Sequence, residues 1–420
     1  MSIESSVIGE GTYGCIHKPS LKCKGNKKIN YTNKVSKILK KEDADAELKE
    51  YKIISKVDNE TQYYLGVPIK CNIKNTQKNK NYLDKCENNK LKSAFTHDIK
   101  SLSLLIMKDG GINLKEFAKN NKHTGTNREL ELFWIEVQRL FHGLVVLQKH
   151  NIVHYDMKPQ NIVYDKTRNR VNLIDFGHMR ALRKILLDSK KSKNVLSVFH
   201  WSYPFESFFY NKANYTHFSN YTEDEKENFY KQIANKVNEL QLSVGGEGTH
   251  KKERSIKKDM VNFKDVAEEI VGFFDYIVNH SDKDSVIRTI ETYMKDFYNL
   301  LFEVIVPGKY DEFIRNSIKT MDLYGLGFTL IYVINKLESV MENREFITKV
   351  KSLGYKMTTP DLRKRISFED AMHEYETILE TTGILHKHGM HKMRYKESDF
   401  SPIKSYNITK KRFVNKRTKQ

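Results

Sequence analysis

Proline and glycine are scarce in this chain of 420 residues, at 7 and 20, which excludes collagen-like, mucin-like and linker-dominated architectures. Cysteine is scarcer still. Cys15, Cys23, Cys71 and Cys86 form no C-x-x-C pair and no cluster with histidine at zinc spacing, so reduced thiols in a cytosolic setting are the expectation. No apolar run approaches the ~18 residues that a membrane span needs. The opening MSIESSVIGE lacks a charged region followed by an apolar one, so no signal peptide is expected and the chain reads as cytoplasmic or otherwise intracellular.

What is present is a foldable composition. Hydrophobic residues make up 39% and aromatics 11%, enough for two or three packed lobes rather than a disordered chain. The 72 basic and 53 acidic residues leave a formal charge of +19, a field that favours anionic partners. The lysines are spread along a Lys- and Asn-rich chain instead of forming one stripe, so most are read as solvated surface. The exception is the C-terminus: residues 391–420 hold ten Lys or Arg against Glu397 and Asp399. Residues 386–420 are therefore expected to be a flexible basic tail with weak affinity for nucleic acid or acidic surfaces.

Periodicity divides the chain. Residues 3–18 and 31–39 alternate apolar and polar side chains between glycines, as hairpin strands do. Residues 43–57 place Leu48, Tyr51, Ile53 and Ile54 on one side of a helix. The Lys/Asn-dominated stretch 69–100 reads as one strand flanked by solvated loops, and Leu102–Met107 as a buried strand ending at Gly110-Gly111. Residues 128–150, 260–306 and 322–345 carry helical patterns, and no internal repeat is apparent.

Two motifs stand out. Ile8-Gly9-Glu10-Gly11-Thr12-Tyr13-Gly14-Cys15-Ile16 is a G-x-G-x-x-G whose glycines allow close approach of backbone to phosphate. A dinucleotide fold needs a preceding buried strand and a following helix; this motif starts almost at the N-terminus and is followed by Lys18-Pro19, so a strand-turn-strand reading is preferred. Val153-His154-Tyr155-Asp156-Met157-Lys158-Pro159-Gln160-Asn161-Ile162 follows the long helical pattern and resembles the H-R-D-L-K-P-x-N catalytic loop of eukaryotic-type serine/threonine protein kinases. Asp175-Phe176-Gly177 is similar to that family's D-F-G. Met321-Asp322-Leu323-Tyr324-Gly325-Leu326-Gly327 resembles its D-x-W-S-L-G helix start, and Pro360–Ser367 its late P-x-x-R-x-S/T segment. With the glycine-rich motif, these fall in the family's order, and the Lys/Asn-rich composition looks like divergent kinases of giant DNA viruses, which implies a host cell or virion setting.

The resemblance implies an α+β, bilobal kinase-like fold. A small antiparallel β N-lobe with one helix would span residues 1–107 and a mainly helical C-lobe residues 108–385. It also implies ATP and Mg²⁺ as cofactors and protein Ser/Thr hydroxyls as substrates. Phosphoryl transfer asks the protein to position two oxygens and neutralise phosphate charge. Asp156 then serves as catalytic base, Lys158 contacts the γ-phosphate, and Asn161 and Asp175 ligate Mg²⁺. Residues 8–16 cover the phosphates, Met107 is the gatekeeper, and the backbone of Lys108-Asp109-Gly110 holds adenine. Two lysines compete for the phosphate clamp. Lys37 is preferred because Val35, two residues before it, supplies the small apolar residue on the same strand face; Lys34 would have Thr32 there. Its helix partner is expected to be Glu50, four residues before the aliphatic Ile54, with Glu47 as the fallback.

Three departures qualify the likeness. Tyr155 replaces the arginine that pairs with a phosphorylated activation loop, which predicts activity without that switch. Tyr203-Pro204-Phe205-Glu206 replaces A-P-E, with Glu206 expected to pair with Arg365. Finally, 116 residues separate Glu206 from Asp322, so a helical insertion at about 211–318 is expected. A pseudokinase scaffold that binds nucleotide or partners without transfer is the alternative reading.

Overall fold

The computed structural model describes residues 5–11, 14–25, 29–191, 198–199, 201–243, 254–255, 263–278 and 283–390, so the basic tail from residue 391 and Thr12-Tyr13 lie outside it. The chain divides into two compact units. Of the described residues, the first takes those up to Ile112 with Val163–Gly177, and the second takes Asn113–Ile162 with those from His178 to Met390. An antiparallel β unit and a mostly helical unit make up the α+β, bilobal kinase-like architecture expected above.

The first unit is built on a five-stranded antiparallel sheet. Its strands are β1 (Ser6–Glu10), β2 (Gly14–Lys18), β3 (Lys34–Lys40), β4 (Ile69–Cys71) and β5 (Leu102–Lys108), in the order β1-β2-β3-β5-β4. β3 is central, and its register sets Lys37 opposite Ile16 on one side and Leu105 on the other. Helix α1 (Lys41–Val57) follows β3 directly, with Glu42 and Asp43 in its first turn complementing the helix dipole. It buries Ala44, Glu47, Tyr51, Ile54 and Val57, a stripe at three- and four-residue spacing.

The Lys/Asn-rich stretch departs from expectation. After β4 the chain forms α2 (Gln77–Leu83) and α3 (Asn89–His97), not solvated loops. Thr76 caps α2 by accepting from Asn79 N, and Asn88 caps α3 by accepting from Lys90 N and Leu91 N. Tyr82, Leu83, Leu91 and Phe95 are buried with the sheet, an apolar signal diluted in sequence by the surrounding lysines.

The expectation of reduced thiols is also overturned. Cys15 on β2 is disulfide-bonded to Cys86 between α2 and α3, and Cys23 to Cys71 on β4. The Cα–Cα distances of 6.3 and 5.7 Å lie within the range that a disulfide spans. The partners are 71 and 48 residues apart in sequence, so only the fold brings them together. Disulfides are rare in reducing compartments, and the cytosolic expectation loses the support it drew from free thiols.

In the second unit α4 (Leu114–Asn121) and α5 (Asn127–Lys149) come first, α5 opened by Thr126 accepting from Glu129 N. They are followed by α6 (Leu182–Lys190), α7 (Lys212–Ser219), α8 (Glu223–Ser243), α9 (Phe263–Ile277) and α10 (Lys283–Asn299). The unit closes with α11 (Tyr310–Leu337), α12 (Arg344–Thr358), α13 (Phe368–Thr381) and α14 (Ile384–Lys387). α11 is its axis, buried on every side from Met321 to Ile334. The sequence reading started this helix near Asp322; it starts at Tyr310, and Asp322 is interior. α11 and α12 touch at Gly327 and Gly354, where a Cβ would lie 2.6 Å from Met357 Cβ and 2.4 Å from Ile331 Cγ1 respectively. Among the described residues no helix is long and apolar enough to cross a membrane.

Candidate active site

The first unit gathers one charged cluster. Lys37 Nζ lies 2.7 Å from Glu47 Oε2 and 3.7 Å from Asp175 Oδ1. Burial acts to lower the lysine pKa, but Asp175 and Glu47 outweigh it, and the ammonium is held well above its ordinary range. The Glu47 carboxyl is pushed up by burial, with Lys37 opposing. Of the two candidate lysines, then, Lys37 carries the cluster. Lys34 stands at the start of β3 opposite Lys108, and burial together with that second ammonium lowers its pKa.

The helix partner is Glu47 and not Glu50, which corrects the sequence reading. Residue 50 is half-buried nearly one turn further along the same side of α1, whereas Glu47 is buried with Ala44 and Tyr51 and makes the bond to Lys37. The rule of an aliphatic four residues on selected Ile54; the residue four beyond Glu47 is aromatic. Tyr51 packs edge-on against Phe176 at 5.3 Å, and Tyr64 lies 5.9 Å from the same ring. This aromatic trio fixes Phe176, and with it the backbone of Asp175, which has φ 61° in the left-handed region. A non-glycine residue there is strained and persists only where packing enforces it.

The glycine-rich turn rests on the same lysine. A Cβ on Gly14 would come within 2.9 Å of Ile38 O and 3.1 Å of Lys37 Cε, so only glycine lets β2 lie this close to the Lys37 stem. Gly9, Gly11 and Ile16 occupy the hairpin as expected, and Ile8 is exposed. Two members of the motif point elsewhere. Cys15 is buried in its disulfide, and the Glu10 carboxylate accepts from Glu87 N and Asn88 N at 2.8 and 2.6 Å.

Met107 is half-buried opposite Val35. The Asp109 backbone is already engaged: its N–H donates to Asn33 O and its carbonyl accepts from Arg168 Nη2, both at 2.9 Å. Its carboxylate pairs with Lys18 at 2.6 Å.

The second unit holds the catalytic-loop motif. Asp322, deep in α11, accepts from His154 N at 2.6 Å and Tyr155 N at 2.9 Å. Burial pushes its carboxyl up against the pull of these donors. The clamp holds Tyr155 at φ 71°, which turns the chain so that Asp156 follows. Gly325, nearly one turn further along α11, admits the loop: a Cβ there would sit 2.4 Å from Met157 O. Asp156 Oδ2 accepts from Asn161 Nδ2 at 2.7 Å and lies 3.0 Å from Lys158 Nζ, so Asp156, Lys158 and Asn161 form one knot. With Asn161 Nδ2 committed to Asp156, its Oδ1 is the atom left for a hard cation.

Further along the second unit, Arg365 binds Glu206 through two nitrogens, at 2.6 and 3.0 Å, as expected. Tyr155 is buried, 6.3 Å from the ring of Tyr203.

Residues 3–221, just over half of the chain, match the protein tyrosine and serine/threonine kinase family. The chain belongs to that family. Among its curated relatives, two carry serine/threonine-protein kinase names and a third is named a cyclin-dependent kinase. One stretch of 44 residues is 48% identical to the putative serine/threonine-protein kinase gskl-1 of Caenorhabditis elegans, covering 10% of this chain and 12% of the relative. A stretch of 73 residues is 33% identical to the probable serine/threonine-protein kinase MRK1 homolog of Encephalitozoon cuniculi (strain GB-M1), covering 17% and 21%. Another of 91 residues is 25% identical to cyclin-dependent kinase B2-1 of Arabidopsis thaliana, covering 22% and 29%. The chain thus spans less than a third of the length of each of these kinases.

Sequence reasoning missed the clamp by Asp322, the aromatic seat of Phe176 and the anchoring of Glu10. For Asp322 a signal existed: one carboxylate inside the apolar run from Met321 to Ile334 must have buried partners.

Proposed function

We propose that the chain is an ATP- and Mg²⁺-dependent serine/threonine protein kinase with Asp156 as catalytic base. The observation that carries the reading is the buried Lys37–Glu47 pair with Asp175 beside it. A lysine so charged is suited to polyphosphate, and a fold kept only as scaffold has no need to maintain it. By residue type each proposed ligand suits a hard cation: Asn161 offers an amide oxygen, and Asp175 a carboxylate that is 42% exposed. Mg²⁺, when bound, would neutralise phosphate charge.

In this reading the substrate hydroxyl oxygen bonds to the γ-phosphorus as the bond to the β-bridging oxygen breaks. ADP leaves, and the hydroxyl proton passes to the Asp156 carboxylate. Asn161 aims that carboxylate, and Lys158 stands ready to stabilise the charge on the transferred group. Lys158 as the residue after Met157 gives the D-x-K-P-x-N form, which supports serine and threonine as acceptors.

The test is transfer of label from γ-labelled ATP to a basic protein substrate, followed by phosphoamino-acid analysis. Phosphoserine and phosphothreonine are expected from wild type and Lys34→Met, with transfer lost in Lys37→Met. Nucleotide binding by the wild type without transfer would show a pseudokinase instead.

A further inference from the structure

The insertion between Glu206 and Asp322 is built into the segment that follows the D-F-G motif. Strand Val198–Phe199 of that segment pairs antiparallel with Arg254–Ser255 of the insertion. A few residues on, Trp201 stacks on Tyr276 of α9 with ring centroids 3.8 Å apart and planes 21° from parallel. Phe205, the residue that displaces the family's A-P-E pattern, meets Phe273 of α9 edge-on at 5.1 Å and Phe297 of α10 at 5.9 Å. Phe273 and Tyr276 are three residues apart on one face of α9 and are buried.

The far side of this grip is packed against α11. Tyr276 also packs on Phe328 and Tyr332 of α11, at 5.8 and 5.7 Å, and Asn335 donates to Ile277 O at the end of α9. The helix that holds Asp322 therefore also holds α9, and α9 holds residues 201–205. Tyr155 brings a buried ring against Tyr203 rather than a cation that could recruit a phosphate. Apart from the strand pairing and the Asn335 hydrogen bond, these contacts are between aromatic rings and need no phosphate to form.

We propose that α9 is an internal brace for the substrate-docking end of the activation segment, with Tyr276 and Phe273 as positioning residues for the protein substrate. The proposal rests on the protein-kinase reading above. It gives the insertion a role in peptide recognition: the family's docking floor is replaced by one backed by an aromatic face. Neither residue touches ATP or the transferred group; both act through Trp201 and Phe205.

The test uses the full chain and the variants Tyr276→Ala, Phe273→Leu and Tyr276→Phe. Peptide phosphorylation is measured against varied ATP and varied peptide, and hydrogen exchange is followed over residues 201–210 and 152–165. The brace predicts that Tyr276→Ala raises the peptide KM or lowers kcat by at least tenfold, with the KM for ATP within twofold of wild type. Exchange should quicken over 201–210 and stay unchanged over 152–165. Phe273→Leu should shift in the same direction and Tyr276→Phe, which keeps the stack, should stay within twofold of wild type. Unchanged peptide kinetics and exchange in Tyr276→Ala would overturn the proposal, as would equal loss of protection in both segments. If wild type shows no transfer, the kinase reading fails, while the exchange pattern still decides whether α9 braces the segment.

Discussion

Breaking the Glu206–Arg365 pair should cost the second unit about 3–5 kcal/mol, the usual penalty for stranding one buried charge. Neither side chain reaches solvent. Arg365 makes two bonds to Glu206 and two to Thr359 O, and its guanidinium lies 5.2 Å from the Tyr324 ring. Glu206 also accepts from Ser317 Oγ at 2.7 Å. In Glu206→Gln the amide keeps the shape and the Ser317 contact but leaves the guanidinium without its counter-charge. In Arg365→Met the carboxylate is the stranded group. The penalty is large against a total stability of about 5–15 kcal/mol, so both variants should unfold at clearly lower urea concentration. The assay is unambiguous about location, because the two tryptophans, Trp134 and Trp201, both belong to the second unit and report its unfolding by fluorescence. Glu206→Gln/Arg365→Met removes both charges and should cost no more than the costlier single variant, a coupling of about 3 kcal/mol or more. Additive losses, or single losses under about 1 kcal/mol, would refute the claim that this pair acts as one desolvated unit.

Other outcomes follow from the same geometry. Glu47→Gln should weaken ATP affinity at least tenfold and Glu50→Gln less than twofold, measured by nucleotide titration; the reverse order would restore the original sequence assignment. Protein denatured without reductant should show no titratable thiol, and four after reduction, since all four cysteines are paired. Loops of 71 and 48 residues imply that each disulfide contributes about 4 kcal/mol by the loop-entropy estimate, so reduction should sharply lower the unfolding midpoint of the first unit. Phosphatase treatment should leave the rate of peptide phosphorylation unchanged, because Tyr155 offers no cation to a phosphorylated loop; loss of activity would show a phosphate switch elsewhere.

The parts of this molecule legible in sequence were those written in local pattern. The β1–β2 hairpin, α1, α5 and the loop around Asp156 each announce themselves within a short window of residue types. Alternation along one strand reports which side chains share a face, and that is enough to favour Lys37 over Lys34. Glu47 was ranked below Glu50 because the rule applied to it expected an aliphatic neighbour, and the fold uses an aromatic one to seat Phe176. Disulfide pairing, the clamp by Asp322 and the stack of Trp201 on Tyr276 join residues far apart in sequence, and no local window holds both partners. Helices α2 and α3 were hidden for a different reason: their buried residues are few, and lysine and asparagine fill the rest.

The central claim is that Asp156 performs proton transfer on a chain otherwise equipped for ATP. The most direct measurement compares wild type with Asp156→Asn and Asp175→Ala in labelled-ATP transfer, alongside ATP affinity with and without Mg²⁺. The account predicts that Asp156→Asn loses transfer by at least a hundredfold while its ATP affinity stays within threefold of wild type. Asp175→Ala should lose both transfer and the Mg²⁺ dependence of nucleotide binding. Equal transfer by all three proteins would contradict the assignment.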